Sequence, residues 1–299
     1  MFTLRTLRNC CATLLMSLFT YAVFAAPEGW QAAALPSTYS FDIKSRHTEQ
    51  TYRIFVGVPE GERPPEGYPT LWMLDGGASY PITQFARTGG SRAQRLPGLI
   101  VAVGYASDKP FDVDARALDY TPVPDADTGD RLSPRFGGAD AFLRFMVDEL
   151  RPVIAAHFKL DPTRQTLFGF SYGGLFTVRT LVSSPRHFQR YWAASPSLWF
   201  SDAIIMRALE KSKTPQQKGV ERVVITAGME EQYPTAQLPP DRVAHLKARA
   251  VVDNVRKAAE SLRNSGAAPN VEAIVAADHD HFDMLMHGAR RVIDFAFAP

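Results

Sequence analysis

Gly169-Phe170-Ser171-Tyr172-Gly173 sets a serine between glycines at the spacing G-x-S-x-G, and Gly174 follows. A serine hydroxyl is a weak nucleophile until a base takes its proton. The pentapeptide therefore carries chemistry only if a histidine and an orienting acid can reach it, in the chain order Ser, acid, His. Five histidines follow Ser171: His187, His245, His279, His281 and His287. His187 stands at an expected surface helix end, and His245 and His287 fall inside helical patterns. His279 and His281 lie in Asp278-His279-Asp280-His281, a loop between a strand pattern and the last helix, where a base belongs. Glu230 and Glu231 follow another strand pattern, and either can orient the base and stabilise its charged form. The His/Asp cluster also has metal-ligand types, but alternating ligands on one short loop lack distant partners, so no metal is expected. An oxyanion needs two donors. The Tyr172 N–H is one, and the turn Asp75-Gly76-Gly77 supplies the other, with Gly76 the expected donor.

These residues need a scaffold that brings loops distant in sequence to one edge. Apolar runs at Thr51–Val58, Thr70–Leu74, Leu99–Val103, Thr166–Phe170, Arg222–Ala227 and Val271–Ala276 read as strands. Their lack of polar alternation suits a sheet covered on both faces. Tyr39–Ile43 is close enough to Thr51–Val58 for an antiparallel pair. Helical periodicity runs over Ala139–His157, which Pro152 should kink or shorten, over Leu175–Val182, over Arg242–Leu262, and through Leu285 to Ile293. Strands alternating with helices predict an α/β protein with a mainly parallel twisted sheet flanked by helices. With G-x-S-x-G at a strand-to-helix turn, the expected architecture is the α/β-hydrolase fold.

Composition adds bounds. The chain has 299 residues, 45% of them hydrophobic, enough for one large core. Lys+Arg number 33 against 31 Asp+Glu, and no basic or acidic block stands out, so nucleic-acid binding is not expected. Arg5 and Arg8 precede an apolar run from Cys10 to Phe24 that ends at small residues before Pro27. That is a secretory signal pattern, predicting a signal peptide over 1–25 and one domain over 26–299. The run is short for a membrane span, so no stable membrane insertion is expected after its removal. Both cysteines, Cys10 and Cys11, lie inside it, leaving no thiol for a disulfide or for catalysis.

A set of segments together resembles the enterochelin-esterase-like group of esterases, with the periplasmic hydrolases of enterobactin-type siderophores most similar. They are Met73-Leu74-Asp75-Gly76, Arg116 to Pro122 (RALDYTP), Gly137 to Phe142 (GGADAF), Gly169 to Phe176 (GFSYGGLF), Ser195-Pro196-Ser197-Leu198-Trp199 and His281-Phe282-Asp283-Met284-Leu285. In the order of that group they span most of 26–299. The resemblance implies a serine hydrolase acting on ester or lactone bonds, without a cofactor, in the periplasm. It implies His281 rather than His279 as the base and sets Asp75, Arg116 and Trp199 around the substrate. It leaves the acid open, because some members of the group work as Ser-His dyads; Glu231 is the residue expected here.

The implied substrate is a small molecule, a catecholate siderophore. A ferric tris-catecholate is an aromatic trianion and calls for arginine donors and aromatic faces. Arg87, Arg92, Arg95 and Arg116, with Tyr120, Trp192 and Trp199, are the sequence's candidates. Three other functions use the same residues: an esterase for a feruloyl, acetyl or drug-like ester, an acyltransferase to an alcohol, and a binder that retains the siderophore without cutting it.

Overall fold

The computed structural model describes residues 34–88, 97–107, 109–131, 133–211 and 219–298. The chain divides into two units, Met1–Ala34 and Leu35–Pro299, and the sheet and site belong to the second. The expected signal segment, with Arg92 and Arg95, lies outside the described residues.

Eight strands form one sheet: β1 (Thr38–Lys44), β2 (Thr51–Gly57), β3 (Tyr68–Met73), β4 (Leu99–Tyr105), β5 (Leu160–Phe170), β6 (Arg190–Ala194), β7 (Arg222–Gly228) and β8 (Asn270–Ala276). Their order is β1-β2-β4-β3-β5-β6-β7-β8. Only β2 runs against its neighbours, and every pair from β4 to β8 is parallel. The chain thus winds outward from β3 in both directions, and the loops at the carboxyl ends of β3, β5, β6, β7 and β8 share one edge. Ligand sites of open α/β sheets form at that edge.

The helices are α1 (Gly76–Thr88), α2 (Val113–Tyr120), α3 (Ala139–Arg144), α4 (Arg151–His157), α5 (Tyr172–Ser183), α6 (Phe200–Lys211), α7 (Pro240–Arg249), α8 (Val251–Asn264) and α9 (His281–Phe297). Leu71 and Met73 turn to one face of the sheet, where α1 and α9 pack with Tyr80, Met284, Ala289 and Val292. Trp72 and Leu74 turn to the other, with Phe142, Phe176 and Val255. Both faces being covered explains the unbroken burial of β3 and β6. This is the expected α/β-hydrolase arrangement.

Three local features depart from the sequence reading. β6 (Arg190-Tyr191-Trp192-Ala193-Ala194) was not anticipated. Where Pro152 is expected to kink or shorten the helix, a wider π turn over Phe145–Leu150 links α3 to α4 and absorbs the N–H that proline lacks. The expected helix Arg242–Leu262 is two, α7 and α8, because Ala250 adopts the left-handed conformation (φ 47°, ψ 43°) between them.

Candidate active site

Ser171 sits between β5 and α5 with φ 59° and ψ −114°. Few non-glycine residues adopt such a backbone, and it holds only because the surroundings fix it. The Ser171 N–H donates to Ala194 O at 2.9 Å, and its carbonyl accepts from Leu175 N at 2.9 Å and Ser197 N at 3.1 Å. Two neighbouring glycines are required by close approach. A Cβ on Gly169 would lie 2.1 Å from Gly173 O, and one on Gly174 would lie 2.8 Å from Ala194 O. Asp75 (φ 53°), Ser195 (φ 42°) and Asp278 (φ 53°) share the positive φ of Ser171. The four follow β3, β6, β8 and β5, so all four strained residues lie along one edge of the sheet.

The histidine loop is positioned by helix capping. Asp280 caps α9, accepting from Phe282 N at 2.8 Å and Asp283 N at 3.0 Å, while Asp283 accepts from Asp280 N at 2.9 Å. His281 is thereby the first residue of α9. Its Nδ1 lies 2.5 Å from Glu231 Oε2, and its ring packs on Phe170 with centroids 4.6 Å apart. Glu231 is buried, and its other oxygen accepts from Ser195 Oγ at 2.5 Å and Gly228 N at 2.8 Å. Such a carboxylate has its rotamer fixed and keeps the proton on His281 Nδ1, leaving Nε2 as the free base. Glu230 points elsewhere, to Thr235, but its N–H donates to His279 O at 3.1 Å and ties the two loops together. Gly228 lets them approach, since a Cβ there would lie 2.1 Å from His279 O. The His279 ring turns away, with Nδ1 2.6 Å from Ala277 O.

Ser171, His281 and Glu231 line one pocket of about 350 Å³. The hydrogen-bond partner of Ser171 Oγ is Ser197 Oγ, at 3.5 Å. In empty sites the bond between nucleophile and base is often long and tightens only in the substrate complex. Tyr172 opens α5 and Gly76 opens α1, so both amides belong to the N–H groups that a helix leaves without internal partners. The two turns touch: a Cβ on Gly173 would lie 3.4 Å from Leu74 and 3.5 Å from Asp75 Oδ2.

Asp75 and Arg116 are not free for substrate, which corrects the sequence reading. Both are buried, and they pair with each other through Arg116 Nε–Asp75 Oδ1 (2.8 Å) and Arg116 Nη2–Asp75 Oδ2 (2.9 Å). Arg116 also donates to Phe170 O at 3.1 Å, and Tyr120 Oη accepts from Asp75 N at 3.2 Å. Burial works against the Arg116 charge, but the adjacent Asp75 carboxylate more than offsets it and holds the guanidinium protonated. The pair braces the serine turn from beneath. Arg116→Ala strands the Asp75 carboxylate, and its expected cost is about 3–5 kcal/mol of stability, measured by urea unfolding. A loss below about 1 kcal/mol would return Arg116 to a substrate role.

Asp119 lies beside this brace and pairs not with Arg116 but with Tyr52 Oη (2.8 Å) and Tyr105 Oη (3.2 Å). Burial pushes its carboxyl up to about 7. A raised folded pKa means that the native state holds the proton more tightly. Its stabilising effect is full below about pH 4, declines as pH rises towards 7, and is flat above. The stability of wild type relative to Asp119→Asn is therefore expected to fall by a few kcal/mol between pH 4 and 7. Denaturation of both proteins across that range checks it, and a constant difference would mean an ordinary carboxyl.

Of the remaining residues, Arg87 is buried under carbonyls of Gly57, Val58 and Gly98, and Tyr120 and Trp192 belong to the core. Trp199 does line the pocket. The cations there are Arg242 and Arg249 of α7, beside the apolar Leu246, and no sequence motif marks any of the three. Ser195, the second clasp on Glu231, belongs to the Ser-Pro-Ser-Leu-Trp segment, whose pattern does not show that its hydroxyl holds the acid.

Residues 45–273 match the family model described as "Putative esterase". The chain is 34% identical over 214 residues to ferri-bacillibactin esterase BesA of Bacillus subtilis, covering 68% of this chain and 73% of that protein. It is 36% identical over 211 residues to the apo-salmochelin esterase of Escherichia coli, covering 66% and 64%. Among solved structures, siderophore hydrolase EstA from Aspergillus nidulans superposes with a TM-score of 0.77 at 25% identity, covering 89% and 98%.

Proposed function

We propose, from the premise that this chain belongs to the esterase family and is a carboxylic ester hydrolase, that it cleaves the ester or lactone backbone of a catecholate siderophore in the periplasm. The Glu231–His281 bond beside Ser171 carries the mechanism. His281 Nε2 takes the proton of Ser171 Oγ as the oxygen attacks the ester carbonyl. The oxyanion is held by the Tyr172 N–H and an N–H of the Gly76-Gly77 turn. His281 then gives the proton to the departing alkoxide, leaving an acyl-serine. A water molecule deprotonated by His281 repeats the sequence and releases the acid. Glu231 keeps the imidazole in the required tautomer and balances its charge.

The relatives' names support a siderophore substrate, and an aromatic and basic cleft wall of Trp199, Arg242 and Arg249 supports an anionic aryl one. The periplasmic assignment rests on the predicted signal over 1–25. Among the described residues, no helix is long and apolar enough to cross a membrane. Turnover of a tris-catecholate trilactone, with and without ferric iron, beside a simple aryl ester tests the substrate. A higher kcat/KM on the aryl ester than on both trilactone forms would favour a general carboxylesterase. Cell fractionation of the tagged full-length chain tests the location.

A further inference from the structure

Arg249, the last residue of α7, is charged and half-buried, yet it has no carboxylate within ion-pair distance among the described residues. Its guanidinium carbon lies 3.9 Å from the centroid of the Trp199 ring, the shortest cation–ring approach in the described chain. Its Nε is buried without a hydrogen-bond partner. Burial works against its charge, and the nearby Tyr172 and Asp130 offset this only in part. The surrounding charges are otherwise engaged. Asp130 accepts from Tyr172 Oη at 2.6 Å, Glu231 holds His281, and Asp280 caps α9. Glu230 bonds Thr235, and Arg242 is another cation. A buried donor left unmatched costs stability, and the residue that carries it lines the same pocket as Ser171.

We propose that Arg249, held over Trp199, is the specificity-determining residue of this cleft, receiving an ortho-oxygen of an aryl arm while the ester carbonyl sits at Ser171. The proposal rests on the catecholate reading above and deepens it. Trp199 fixes the guanidinium in place, so little side-chain freedom is lost when the oxygen arrives, and the fork of N–H donors suits paired oxygens better than a lysine would. An arm without those oxygens leaves the donor unmatched, and a site built to bond a polar group discriminates strongly against an analogue that lacks it.

The test compares two esters that differ only at the ring, 2,3-dihydroxybenzoyl-serine methyl ester and benzoyl-serine methyl ester, each at pH 8. Arg249→Gln is expected to lower the ratio of their kcat/KM values by roughly 10–100-fold, mainly through KM on the dihydroxybenzoyl ester. Arg249→Lys should recover part of the ratio, and Trp199→Leu should lower it in the same direction. Thermal melts identify any variant that fails to fold, and the ratio, read within one protein, is independent of the folded fraction. If wild type prefers the dihydroxybenzoyl ester and Arg249→Gln keeps that preference, the Arg249 proposal fails and the catecholate reading stands. If wild type shows no preference, both fail.

Discussion

Ser171→Ala is expected to abolish ester hydrolysis, with kcat falling on the order of 10⁶-fold, while the protein keeps its fold. The backbone bonds that hold the turn, from Ser171 N to Ala194 O and from Leu175 N and Ser197 N to Ser171 O, do not involve the side chain. The hydroxyl has only the 3.5 Å contact with Ser197 Oγ to lose. Alanine adopts φ 59° no less readily than serine, so backbone strain is unchanged. The melting temperature should therefore stay close to wild type, and labelling by a covalent serine reagent should vanish. Ser197 is the one neighbouring hydroxyl that can stand in for the nucleophile. Residual activity within tenfold of wild type, lost only in the Ser171→Ala/Ser197→Ala double variant, would move the nucleophile to Ser197.

His281→Ala should match that loss, because a nucleophile and its base act as one unit and their removals are not additive. His279→Ala should be mild, since its ring bonds Ala277 O and packs at 5.5 Å from His287, away from Glu231. Glu231→Gln should fall between them, on the order of 10⁴-fold, as for triads whose acid is replaced by its amide. Ser195 Oγ and Gly228 N would still hold the amide oxygen, so the amide N–H would face His281 Nδ1 and donate to it, which sets the wrong imidazole tautomer. Steady-state kinetics on one ester for the three variants decides the order. A dead His279→Ala beside an active His281→Ala would shift the base by two residues.

The parts legible in the sequence are those where a local pattern has a local cause. Gly169 and Gly174 mark the serine turn because backbone approaches there exclude any Cβ. The position of His281 follows from a helix start that Asp280 and Asp283 announce. What was not legible lacks such punctuation. β6 is five residues long and mixes Arg and aromatics, too short for a period to emerge. Ala250 is a strong helix former in a left-handed conformation, so nothing in its type separates α7 from α8. Arg116 resembles a substrate-binding arginine until the sheet brings Asp75 against it, a contact across 41 positions. Arg249 is illegible for the converse reason: it stands in an ordinary polar helix, and only tertiary structure lays it over Trp199.

The helix that carries Arg242 and Arg249 has no buried residue of its own, whereas the serine, histidine and glutamate grow out of strand ends and of helices anchored in the core. Substitutions on such a surface element usually shift stability by no more than about 0.5 kcal/mol. Bond-breaking and substrate choice are therefore separable under mutation. The first is locked to the scaffold, and the second sits on a segment free to vary, so one hydrolytic engine can be retuned to new acyl esters by drift within ten residues without first losing its fold.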